Sequence, residues 1–106
     1  MGLSQSRDHR VTLEAAGQLT RNYRNLHAKA TGALVTGVYS REAFESILKQ
    51  PGVEGVRYYG AANPDGTATL VFVGTDAKGN DLHDGVIIDT HWPCPPFCSA
   101  ANSLNA

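Results

Sequence analysis

Both cysteines of this 106-residue chain fall in one short run, Pro93-Cys94-Pro95-Pro96-Phe97-Cys98, which also carries three of its five prolines. Thiols can bridge, ligate a soft metal, cycle between redox states or pack as small apolar groups. Residues before proline are pushed toward extended dihedrals, so Trp92, Cys94 and Pro95 are biased to polyproline or β geometry. If the run stayed extended, the cysteines would lie about 12 Å apart at about 3.1 Å per residue. A disulfide needs Cα atoms within about 7 Å. An internal bridge therefore requires a turn centred on Pro96 and Phe97, or a cis bond before a proline. Without either, one thiol is free to pair with a cysteine of another chain.

His91 extends the pattern to His-x2-Cys-x3-Cys, a candidate metal set of His91, Cys94 and Cys98, with Asp89 and His83 as further ligands. Tetrahedral zinc takes four ligands, so the three leave it one short, and the x3 spacing with two prolines differs from the usual tight Cys-x2-Cys chelate. Disulfide or redox chemistry at Cys94 and Cys98 is the competing reading, and inert packing the third. Nucleophilic catalysis by either thiol with His91 and Asp89 has suitable residue types. It lacks the electropositive, helix-N-terminal setting that activates a thiol. No cofactor is otherwise expected, zinc or another soft metal being the exception.

These residues must be positioned by the elements before them. Leu13, Ala16, Leu19, Tyr23 and Leu26 recur every three or four residues, predicting a helix over Thr12 to Leu26 capped by Thr12. The stripe reads as a core face first and an interaction surface second. Ser40 caps a second helix whose buried face is Phe44, Ile47 and Leu48; Tyr39 staples onto Phe44, and Pro51-Gly52 stops it. Between the helices, the β-branched stretch from Thr31 to Val38 suggests a strand bounded by Gly32 and Gly37.

From Val53 the period changes. Strands are expected over Val53 to Tyr59, Thr67 to Gly74 and Leu82 to Asp89, joined by turns at Asn63-Pro64-Asp65-Gly66 and Asp76-Ala77-Lys78-Gly79-Asn80. The middle strand is apolar on both faces and should be central. The fold class is therefore α+β: two N-terminal helices on a three- or four-stranded, mainly antiparallel sheet. One domain spans 1–106, with a polar N-terminal arm over 1–10 and an irregular Pro/Cys-rich tail over 90–106.

Several clusters resemble a family of short bacterial proteins of unassigned function: Asn22-Tyr23-Arg24, Tyr58-Tyr59-Gly60, Leu70-Val71-Phe72-Val73-Gly74, Gly79-Asn80-Asp81 and the Pro93-to-Cys98 run. The resemblance covers roughly residues 11 to 99 and implies one compact domain. It supplies no activity, cofactor or site residue.

Composition narrows the partners. A net charge of −1 gives no global case for nucleic acid or an anionic membrane. The basic group Arg21, Arg24, His27 and Lys29 complements a helix C-terminus. The longest apolar run, Leu70 to Val73, is too short to span a bilayer. Met1 to Arg10 lacks the apolar core of a signal peptide, so a cytoplasmic location is expected unless a leaderless route or an assembly exports the chain. The glycines around Lys78 are explained by a hairpin, and Asp76, Asn80, Asp81 and Asp84 lack calcium-loop order.

An outward tyrosine, Tyr59, beside Trp92, Pro95, Pro96 and Phe97 would make an aromatic patch suited to another chain, unless the tail folds back and covers that tyrosine within the same chain. The sequence thus points to a non-enzymatic module that self-associates, as a homo-oligomer or a filament subunit. The alternative is a small thiol module at Cys94 and Cys98 with His91. No nucleic-acid or membrane partner is expected.

Overall fold

Helix α1 runs Leu13–Leu26 and begins where the Thr12 hydroxyl accepts the Ala15 N–H. Helix α2, Arg41–Leu48, begins the same way, with Ser40 accepting from Ala43. Each cap satisfies an otherwise orphaned donor, typically stabilising a helix by about 1 kcal/mol. Both starts agree with the sequence. The computed structural model describes residues 7–28 and 36–105, so Thr31 to Val35 of the expected inter-helix strand and Lys29 of the basic group lie outside the described residues.

Two antiparallel sheets make up the β layer. Strands β2 (Gly55–Ala62), β3 (Ala68–Thr75) and β4 (Ile87–Ile88) form a three-stranded sheet in the order β2-β3-β4. Strand β3 is central, as its two-sided apolar pattern requires. Strands β1 (Gly37–Val38) and β5 (Trp92–Pro93) pair separately. The inter-helix strand thus exists at its C-terminal end, but it joins the tail rather than the main sheet.

Asn63 to Gly66 turns β2 into β3, with Gly66 at φ 89° and its N–H donated to the Asn63 carbonyl. Gly79, at φ 83°, serves the next turn, where the Asp76 carboxylate accepts the N–H groups of Lys78 and Asn80. Positive φ costs glycine almost nothing, which is why both turns tolerate it.

The third strand is shorter than expected. Leu82 to Asp89 contributes only Ile87–Ile88 to the ladder, and an isolated bridge joins Thr75 to Asp81 just before it. The cause is Gln50, beyond the end of α2. Its side-chain oxygen accepts the Val86 N–H at 2.8 Å, and its amide donates to the Ile47 carbonyl at 3.0 Å. A side chain on Gly85 would collide with that amide, so glycine is what lets Gln50 approach.

Helix α2 packs on β2 and β3. Tyr39, Phe44 and Phe72 meet edge-to-face, with centroids 5.2 to 5.5 Å apart. Ile47 is fully buried and Val73 is 4% exposed. The staple of Tyr39 on Phe44 is therefore part of a three-ring core.

Helix α1 departs from expectation. Leu13, Leu19 and Leu26 are 57%, 60% and 81% exposed, so the three leucines of the stripe do not face a core within this chain, while its other two members, Ala16 and Tyr23, are half-buried. The covered side instead carries buried Gly17 with half-buried Ala16, Thr20, Tyr23 and Arg24. It rests on the C-terminal tail. A Cβ on Gly17 would lie 2.8 Å from the Ser103 carbonyl oxygen, and Arg24 donates to the Leu104 carbonyl at 2.8 Å. Periodicity located the helix but set its covered face to one side, because small residues at Ala16 and Gly17 allow the tail's backbone to approach closely where the leucines do not. Beyond the short strand Trp92–Pro93 the tail is turns and bends, irregular as expected, and it is held against α1.

Candidate functional site

Cys94 and Cys98 are joined by a disulfide, with Cα atoms 4.8 Å apart. The Cys94–Pro95 and Pro95–Pro96 peptide bonds are both cis. The loop is tied at its base: Cys94 donates its N–H to the Thr36 carbonyl, and Phe97 donates to the Pro93 carbonyl. The turn that an internal bridge demands is thus present. The sulfurs are bonded to each other, so in this state neither is a thiolate able to ligate metal. Among the described residues, no group of three His, Cys, Asp or Glu side chains is placed to hold a metal ion.

His91 has its own contacts. Its ring lies against the backbone of Gly37, where no side chain would fit, and 6.0 Å from the Tyr39 ring. Its Nδ1 is 3.3 Å from the Thr69 hydroxyl, which donates to Asp89 Oδ1 at 2.6 Å. With its one proton committed to Asp89, that oxygen acts as acceptor toward His91. This geometry orients the imidazole but does not activate a nucleophile, since the hydroxyl proton points at the carboxylate rather than the base. Thr69 is 4% exposed, so a substrate could not reach it. The expected ligand Asp89 is therefore engaged with β3. His83 sits beside Asp84 at 3.4 Å, both side chains being exposed.

The aromatic patch assembles in part. Trp92 and Phe97 are 6.3 Å apart by centroid and 52% and 56% exposed, with Pro95 and Pro96 between them on an exposed loop. Tyr59 is engaged elsewhere: its hydroxyl donates to Asp81 Oδ2. Arg57 reaches the same carboxylate at 2.6 Å and also donates to the Gly79 carbonyl. The Tyr59 bond, followed by Arg57, holds the Asp81 carboxyl below the usual carboxylate range. The same bond raises the Tyr59 phenol. Neither tyrosine of the 58–59 pair is a core residue, since Tyr58 is 67% and Tyr59 47% exposed.

A shallow groove of about 200 Å³ opens between β1, the start of α2 and β4, lined by Tyr39, Ser40, Ala43, Ile88, Asp89 and Trp92. Small-molecule sites commonly occupy about 300 to 1,000 Å³. Burial, and then the charge of Asp89, raises the Tyr39 phenol.

No family model, curated protein or solved structure matches this chain. Among the described residues, no helix is long and apolar enough to cross a membrane. Sequence reasoning missed the Thr69–Asp89–His91 contact, which joins residues about twenty positions apart. The one signal was a hydroxyl residue beside an otherwise apolar strand.

Proposed function

We propose that the protein is a non-enzymatic module that associates with copies of itself, and that it belongs with the short bacterial proteins its proline-cysteine run resembles. One observation carries this reading. The chain leaves large apolar side chains bare: Leu13, Leu19 and Leu26 on α1, and Trp92 and Phe97 on the loop, are each more than half exposed. Burying such surface is the main favourable term in association.

A head-to-tail contact that does not close would yield a filament, and a two-fold contact would yield a closed dimer. Size-exclusion chromatography with light scattering, paired with electron microscopy, separates these. A mass at or above twice 11.3 kDa supports the proposal, and an 11.3 kDa species at every concentration overturns it.

The disulfide favours a second reading, a thiol module at Cys94 and Cys98 in which His91 stands nearby in sequence. Intact mass with and without reductant tests it. A bridge that opens and re-forms reversibly supports it, and thiols alkylated without reductant argue against it.

A further inference from the structure

We propose that the open edge of β2 is where two copies join, β2 running antiparallel to β2 of the second copy so that two three-stranded sheets become one of six. This rests on the self-association reading and names the contact that pairs two copies, leaving the α1 stripe and the loop for contacts between pairs.

The edge is long, and among the described residues no strand covers it. All eight residues of β2 pair with β3 in unbroken register, from Gly55 with Thr75 to Ala62 with Ala68. Sheet proteins usually protect such an edge with proline, lysine, a bulge or a covering segment. Gly55–Ala62 has no proline and no lysine; its single charge, Arg57, is already directed to Asp81 and Gly79.

The backbone directions follow from the register. Asn63 donates its N–H to the Thr67 carbonyl at 2.8 Å, one step beyond the pair of Ala62 and Ala68. In an antiparallel ladder hydrogen-bonded pairs alternate, so the odd-numbered residues of β2 bond to β3. Val56, Tyr58, Gly60 and Ala62 therefore turn their N–H and C=O groups toward the open edge. Two such edges are self-complementary about a two-fold axis.

Charge selects the register. With Tyr58 opposite Tyr58 of the second copy, Val56 faces Gly60, and Arg57 faces Tyr59 with its attached Asp81. Each guanidinium then meets an aromatic ring and a carboxylate. A shift that sets Tyr59 opposite itself would instead bring the two Asp81 carboxylates together near the axis.

Tyr58 is 67% exposed, so a charge there leaves the monomer's fold intact. Tyr58→Lys places two ammonium groups directly opposite each other, and Tyr58→Glu places two carboxylates. Sedimentation velocity on the full-length chain should show each variant at half the wild-type dimer mass, with an unchanged circular-dichroism spectrum. An equimolar mixture of the two should restore the dimer, because lysine then faces glutamate. A wild-type oligomer that both variants keep would overturn the β2 assignment while leaving self-association standing. A monomeric wild type would overturn both.

Discussion

The sheet with α2 and the α1–tail pair follow different rules. In the first, side chains of unlike elements interlock: Ile47 is fully buried, and three aromatic rings meet edge-to-face around Phe72. In the second, two segments from opposite ends of the chain meet through backbone, Gly17 against Ser103 and Arg24 against the Leu104 carbonyl. The leucines of α1 are left bare. Side-chain interlocking makes a fold stable by itself, whereas backbone contact with an uncovered apolar stripe leaves most of the hydrophobic stabilisation unrealised until something covers it.

The largest expected effect lies in the interlocked half. Ile47→Ala should lower unfolding free energy by about 2–5 kcal/mol, since it empties a fully buried site. Urea denaturation measures it, and a loss below about 1 kcal/mol would contradict a core centred on Ile47. Next, Gln50→Ala removes the acceptor of the Val86 N–H, and a stranded half-buried donor costs about 1–3 kcal/mol. Faster amide exchange at Val86 is the accompanying signature.

The bare half should behave in the opposite way. Leu19→Glu should change monomer stability by less than about 0.5 kcal/mol, because the side chain is 60% exposed. Contacts made by α1 between β2-paired dimers would weaken, read as a loss of species larger than the dimer at fixed concentration. If the variant unfolds instead, the stripe is covered within the chain and the contrast fails.

The smallest effect is electrostatic. Asp81 is held below the ordinary carboxylate range by the Tyr59 hydroxyl and then by Arg57. A lowered folded-state value contributes stability above the unfolded value, about pH 4, and loses it as pH falls through the folded one. Tyr59 is raised, so its contribution is present below about pH 10 and lost as pH rises through its folded value. Ultraviolet titration of Asp81→Asn should move Tyr59 back toward an ordinary phenol. An unmoved titration would show that the bond does not form in solution.

Much of this architecture was legible in the residues themselves. Thr12, Ser40, Gly66 and Gly79 announce caps and turns by local chemistry, and β3 declares itself central by being apolar on both faces. The facing of α1 was not legible, because a stripe of leucines reads the same whether its cover is the chain's own sheet or another molecule. The end of β4 was hidden too, since Gln50 replaces a ladder bond from 36 positions away. At the cysteine loop, proline spacing stated the condition for a bridge, and three-dimensional geometry satisfied it. The attachment of His91 to Thr69 and Asp89 depends on strand pairing and had no local signal.

The central claim is that apolar surface bare on one chain is covered by another. Small-angle X-ray scattering across a dilution series tests it most directly. The account predicts forward scattering equal to a multiple of 11.3 kDa, with mass and radius of gyration both falling on dilution. A mass of 11.3 kDa at every concentration would contradict it.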